Sequence, residues 1–380
     1  MKVIILGGGL VGAPMALDLD QDEKFEVTVA DHSDDVLNRL KGKCPEISVI
    51  QKDLSNPDDV TSLVKDYDLV VNSVPGFMGF ETAKAIIEAG KNCACIAFYE
   101  EDPFELDALA KENDVTMIMD CGVYPGMGSA LIMYVTQKLD KTESILTYVG
   151  GIPEIREWPS DYKAVFSPID VIEEYIRPAR YIENGFEVVR PALSDPEYVF
   201  FPQIGTLEAF NTDGLRTLAK TIDAPNMKEK TLRYPGHIEK MTVLRELGFF
   251  SKEESIRING TKTSPLEMTA QVLFPNWELK QGEGDIMVYQ SIIEGIKDGR
   301  KKRVTIELFD KYCPETEVIS MARTTGYTAT LAIRMIADGL YPHKGISPPE
   351  YMGKHPECID YLQKGLKERS VNWEISEEVL

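Results

Sequence analysis

The stretch Lys2–Gly12, KVIILGGGLVG, limits what this chain can fold into more than any other. Val3, Ile4, Ile5 and Leu6 form an unbroken apolar run, as a strand buried on both faces requires. Gly7, Gly9 and Gly12 follow at G-x-G-x-x-G spacing, with Leu10 and Val11 between them. Val11, Ala13, Met15 and Leu17 then lead into an apolar-rich helix. Such glycines serve a tight turn, close backbone approach to a pyrophosphate, and close packing of helix on strand. The N–H groups and dipole of the helix start then face the phosphates. Gly7, Gly9, Leu10, Val11 and Gly12 are therefore candidate dinucleotide contacts.

A second apolar strand, Glu26–Ala30, ends at Asp31, about 20 residues past the glycines. A carboxylate there can hydrogen-bond the adenosine 2′-hydroxyl and repels a 2′-phosphate. No Arg or Lys follows Asp31 until Arg39, so the expected cofactor is NAD rather than NADP.

At 380 residues, two domains are the natural expectation. A net charge of −21 argues against nucleic acid or an anionic membrane as partner. No apolar run approaches the roughly 20 residues that span a bilayer. Because the chain opens directly on a structural strand, no signal peptide is expected. The six cysteines include no CxxC pair and there are only four histidines, so no metal site is expected and a reduced, cytoplasmic compartment is.

Further strands are expected at 47–50, 69–72, 93–98 and 115–119, with helices at 34–40, 56–65, 76–89 and 103–113. This alternation implies a parallel, doubly wound Rossmann sheet. The cofactor then lies along the C-terminal strand ends. Three loops there hold candidates. Asp53 could reach the adenine or simply cap a turn. Ser73, Val74 and Pro75 should pass near the nicotinamide half. Asp120, with Tyr124 just beyond it, leaves the last strand for the cleft before a second domain.

From about Leu146 the pattern changes to strands at 145–149, 162–166, 198–201, 255–258 and 303–309. Their partial period-2 alternation suggests a mixed sheet. Helices are expected at 169–175, 213–221, 237–247, 264–274 and 326–340. The fold class is thus α/β, a Rossmann domain at 1–122 completed by 323–380, and a second α/β domain at 123–322 for substrate and dimerisation. Polar clusters at 207–216, 232–240 and 321–327 mark that second domain. Arg233 can bind a carboxylate bidentately, which a Lys cannot. His237 could exchange a proton near neutral pH, or only cap its helix.

These residues carry a resemblance. GGGLVG with Asp31, VNSVPGFMGF (71–80), DCGVYPGMG (120–128), YVGGIP (148–153), SPIDVIEEYIRPAR (167–180), AFNTDGLRTL (209–218), LRYPGHIEKMTVLRELGFF (232–250) and MARTTGYTA (321–329) together resemble the saccharopine dehydrogenase-like family, above all its short L-lysine 6-dehydrogenase members. The resemblance implies a homodimer and NAD-dependent oxidation at the ε-carbon of lysine, or of a lysine bearing a glutarate substituent. On positions that match the family's motifs, we assign Asp120 to the substrate amine and Arg233 to a carboxylate, with Tyr124, Thr212 and Arg216 nearby and His237 in proton transfer; the motifs imply the positions, and the roles are our own reading. A second carboxylate would need a further cation, for which Arg216, Arg323, Arg177 and Lys163 are candidates. A saccharopine dehydrogenase, or a nucleotide-binding relative without catalysis, are the alternative readings.

Overall fold

The apolar run at the start forms the strand Lys2–Leu6, the pivot of a seven-stranded parallel sheet in a computed structural model of the chain. Its order is Gly345–Ser347, Thr116–Ile118, Asn92–Cys95, Leu69–Asn72, Lys2–Leu6, Glu26–Asp31, Ser48–Gln51. Leu6 is flanked by Ala30 on one side and Asn72 on the other, so the winding reverses beside the glycine turn. That reversal opens the crevice in which doubly wound sheets take a nucleotide. The described residues are 1–253, 255–258, 260–280 and 282–380.

Two units divide the chain: Met1–Lys138 with Met321–Asn372, and Leu139–Ser320 with Trp373–Leu380. In the first, the returning helix Ser320–Ala337 runs against the helix Gly12–Asp20. A Cβ on Gly326 would stand 2.9 Å from Met15 Cγ, so only a bare backbone fits. The buried Asp18 carboxylate receives Arg334 Nη1 at 2.7 Å and Arg369 Nε at 2.6 Å, which ties three helices together. Gly345–Ser347, a strand not expected from sequence, extends the sheet at its edge.

The second unit holds a nine-stranded mixed sheet. Its main path runs Glu197–Phe201, Gly205–Asn211, Asn226–Arg233, Lys141–Pro153, Asp285–Lys297, Arg300–Lys311, Trp373–Val379. Only Asn226–Arg233 and Lys141–Pro153 pair in parallel; the other described pairings are antiparallel. Helices Pro168–Ile176, His237–Glu246 and Pro265–Trp277 cover one face, through Tyr175, Ile238, Met241, Leu266 and Trp277 against Phe210. Tyr148, Leu207, Ala209, Leu232 and Val288 form an apolar layer on the other.

Three expectations need correction. Residues 162–166 form no strand but a buried loop, with Ala164 N bonded to the Trp277 carbonyl. The helix expected at 213–221 shrinks to Leu218–Thr221. Asp213 is drawn into a bidentate pair with Arg180, and Arg216 adopts a left-handed φ of 51° that a helix cannot continue through. The last residues do not complete the Rossmann unit. Trp373–Val379 adds an outer strand to the second sheet, pairing with Arg300–Lys311.

Candidate nucleotide and amino-acid sites

In the first unit, the glycines are required by close approach. A Cβ on Gly12 would lie 2.0 Å from the Gly7 carbonyl oxygen, and one on Gly7, at φ 97°, 2.8 Å from the Ser73 carbonyl oxygen. A Cβ on Gly9 would meet nothing within 4 Å, so this part of the turn faces open space. Leu10 is 47% exposed and Val11 half-buried beside it. Asp31 accepts from Gly8 N (2.7 Å) and from Ser33 N (2.8 Å), so the second strand end and the glycine turn are bonded directly. The bare turn and the fixed carboxylate fit a dinucleotide, whose pyrophosphate would be held over Gly9 and whose ribose would be held at Asp31.

The other expected nucleotide contacts divide. Ser73 donates its hydroxyl to the carbonyls of Leu6 and Gly7, both at 2.9 Å, and so braces the turn. Val74 is buried and Pro75 caps the helix Gly76–Glu88. Asp53 is exposed and accepts from Ser55 N at 2.9 Å; that bond holds its carboxyl below the usual range. It caps its own turn. Asp120 is buried at φ 47°, a conformation Asp tolerates better than most residues, at the end of Thr116–Ile118. Beyond it, Gly122 N bonds back to Pro125 O, the Tyr124–Pro125 peptide is cis, and Tyr124 is buried. Arg323 also falls in this unit, with Nη2 on the Arg369 and Ser370 carbonyls at 3.1 and 3.2 Å, the end of the helix Pro356–Glu368.

In the second unit, Arg233 ends the strand Asn226–Arg233 and is only 1% exposed. Its Nη2 pairs with Glu174, its Nη1 donates to Leu232 O (2.9 Å), and its Nε to Tyr175 Oη (3.4 Å). The guanidinium carbon also stands 4.6 Å from the Tyr162 ring centre. His237 is 0% exposed, bonded through Nε2 to Tyr175 Oη (2.9 Å) and through Nδ1 to Ser160 O (2.7 Å). Burial, reinforced by the Arg233 and Lys240 charges, holds the imidazole down at about 3 despite the Ser160 bond. The ring is thus held in its neutral form near neutral pH, with both nitrogens already bonded inside the unit.

Thr212 donates to Glu229 Oε2 at 2.7 Å and shares a 2.8 Å bond with Thr231. Glu229, which receives Gly214 N at 3.0 Å as well, is 2% exposed and pushed up to about 8 by burial, with the neighbouring Glu174 and Asp213 charges adding to it. Arg216 is half-buried at the left-handed bend. Glu174, Tyr175, Tyr162 and Glu229 were not legible as site residues. Met227, Glu229, Thr231 and Arg233 alternate onto one face, a pattern that reads as solvated although residues 229–233 are all buried.

Comparisons agree with this layout. Residues 3–118 match the model of the saccharopine dehydrogenase NADP binding domain, and residues 122–371 that of the saccharopine dehydrogenase C-terminal domain. The mitochondrial alpha-aminoadipic semialdehyde synthase of Mus musculus is 25% identical over 423 residues, covering 92% of this chain and 45% of that protein. This chain thus spans less than half the length of such relatives. The NADP(+), L-glutamate-forming saccharopine dehydrogenase of Pyricularia oryzae is 23% identical over 440 residues, 97% of each chain. The solved apo saccharopine dehydrogenase (L-Glu forming) of Saccharomyces cerevisiae shares the fold, with a TM-score of 0.80 at 20% identity over 99% of each chain. The cofactor these matches indicate is a nicotinamide nucleotide. No described helix is long and apolar enough to cross a membrane. With both halves matched, the chain belongs to the saccharopine dehydrogenase family.

Proposed function

We propose that the protein is an NAD-dependent L-lysine 6-dehydrogenase, oxidising the ε-carbon of lysine to the 6-semialdehyde with release of ammonia. The observation that carries the substrate half is Arg233, a buried guanidinium fixed by Glu174, Tyr175 and Leu232. Those bonds use three of its five N–H groups and leave one on each terminal nitrogen, enough for an α-carboxylate. Thr212, bonded to Glu229 and Thr231 of the same strand, and Arg216, at the bend that follows Thr212, are assigned to the substrate as well, and Asp120 with Tyr124 is assigned to the reacting amine. Asp31 favours NAD, because its carboxylate, already bonded to Gly8 N, repels a 2′-phosphate.

The bound nucleotide supplies a hydride acceptor at its nicotinamide C4. The protein's share is to hold the ε-carbon and the amine in place and to receive the proton that the nitrogen loses. Water then cleaves the imine to aldehyde and ammonia. The cysteines are all free thiols, in keeping with a reduced cytoplasmic compartment, and we place the working enzyme as a homodimer.

Saccharopine dehydrogenation is the second reading, favoured by the full-length likeness to the Pyricularia oryzae enzyme. Reduction of NAD and NADP, followed by the absorbance of the reduced nicotinamide with L-lysine and with saccharopine at alkaline pH, decides between them. Turnover of lysine with NAD supports the proposal. Turnover of saccharopine alone selects the second reading, and turnover of neither removes both.

A further inference from the structure

We infer that Tyr175 and His237 form a directional hydrogen-bond relay whose task is to position the Arg233 guanidinium for its carboxylate ligand. The inference rests on the reading of Arg233 as the carboxylate-binding residue. Its direction follows from one atom. The Ser160 carbonyl can only accept, so the proton of the imidazole sits on Nδ1. A buried imidazole stays neutral, which leaves Nε2 as an acceptor, and the Tyr175 hydroxyl must donate to it. The Tyr175 oxygen then turns its lone pairs toward Arg233 Nε–H. Tyr175 itself, pushed up to about 12 by burial, keeps its proton throughout the neutral range.

The far end of the relay is also fixed. Asp161, next to Ser160, accepts from Arg156 Nε at 2.8 Å and is paired with Lys240. Arg156 Nη2 reaches Pro235 O at 2.7 Å, tying this loop to the Tyr-Pro-Gly turn that delivers His237. Gly236, at φ 90°, gives its N–H to Glu208 at 2.9 Å. One ring nitrogen is therefore held by a backbone carbonyl in a braced loop and the other by the Tyr175 hydroxyl, while the turn that carries the histidine is itself bonded at Pro235 and Gly236. This explains a histidine at the start of a helix that neither caps it nor exchanges protons.

Two measurements test the relay. With ¹⁵N-histidine label in the whole protein, one of the four rings should be locked in the Nδ1–H tautomer and remain neutral from about pH 8 to about pH 5. If every ring titrates near its ordinary value, or the His237 ring carries its proton on Nε2, the inference falls whether or not the enzyme turns over lysine. In steady-state kinetics, Tyr175→Phe and His237→Leu should each raise KM for the amino acid about tenfold, with kcat changed less than threefold, and the double variant should do no worse than either. His237→Gln, whose amide oxygen reaches the place of Nε2, should recover most of the loss. A fall in kcat at constant KM would make His237 a proton carrier and overturn the relay. Absence of wild-type turnover on lysine and saccharopine would count against the proposed function alone, and the tautomer would still decide the relay.

Discussion

Gly8 N donates to Asp31 Oδ2 at 2.7 Å, so the carboxylate we propose as the nucleotide selector also holds the glycine turn. The same carboxylate takes Ser33 N through its other oxygen, at the start of the helix Asp34–Lys43. Asp31→Ser should accordingly raise the Kd for NADH about tenfold, the worth of one charge-assisted hydrogen bond. The Kd for NADPH should fall or stay level, since a repulsion is removed. Fluorescence titration of both nucleotides checks this. An unchanged NADH-to-NADPH ratio would take Asp31 out of the cofactor site.

Gly12 and Gly9 lie in one motif but should fail in opposite ways. A Cβ on Gly12 overlaps the Gly7 carbonyl at 2.0 Å, with Ser73 Oγ at 3.0 Å, and backbone atoms there have nowhere to go. Gly12→Ala should cost about 3 kcal/mol of stability, seen as a lower urea midpoint. Gly9→Ala meets nothing within 4 Å and should leave the midpoint unchanged. It should nevertheless weaken NADH binding at least about tenfold, because the new methyl stands where the pyrophosphate approaches. Equal stability losses in the two variants would contradict this division.

Much of the first unit was readable because its signals are local: apolar strands of four to six residues, turn glycines, and helix starts such as Asn56-Pro57. The second unit was less so, since its pairing is long-range. The strand Asp285–Lys297 was missed although Asp298-Gly299, at φ 51° and 71°, is the hairpin turn that joins it to Arg300–Lys311. Around Arg233 the sequence showed the cation but not its setting. Glu174 comes from a helix 59 positions away, and no local spacing connects the two. His237 was read from its ordinary pKa, whereas three covering helices and a loop decide its chemistry.

The Arg233–Glu174 pair should behave as a buried ion pair. Arg233→Ala leaves the Glu174 carboxylate without its cation, and should destabilise the fold by about 3–5 kcal/mol while raising KM for the amino acid steeply. Adding Glu174→Ala should restore part of that stability, because the stranded charge is gone, without restoring KM. Chemical denaturation of the two single variants and the double variant gives the coupling. If the double variant is no more stable than Arg233→Ala, the pair is not what holds this corner together.

Two buried groups should shape stability against pH with opposite signs. Glu229, up at about 8 when folded, binds its proton more tightly in the native state. Its contribution is complete below the ordinary carboxylate range and is lost as pH rises to about 8. His237, down at about 3 when folded, binds its proton more tightly in the unfolded chain. Its contribution is present above the ordinary imidazole range and is lost as pH falls. Between about pH 4.5 and about pH 6.5 the two slopes oppose and largely cancel. Above that range only Glu229 acts, and it should lower stability by about 2 kcal/mol on going to pH 8. Glu229→Gln keeps an acceptor for Thr212 and Gly214 but carries no titrating proton. Urea midpoints of this variant should stay level above pH 6.5 and rise with pH below it, exposing the His237 slope. A variant that follows the wild-type curve throughout would mean that Glu229 keeps an ordinary acidity inside the sheet.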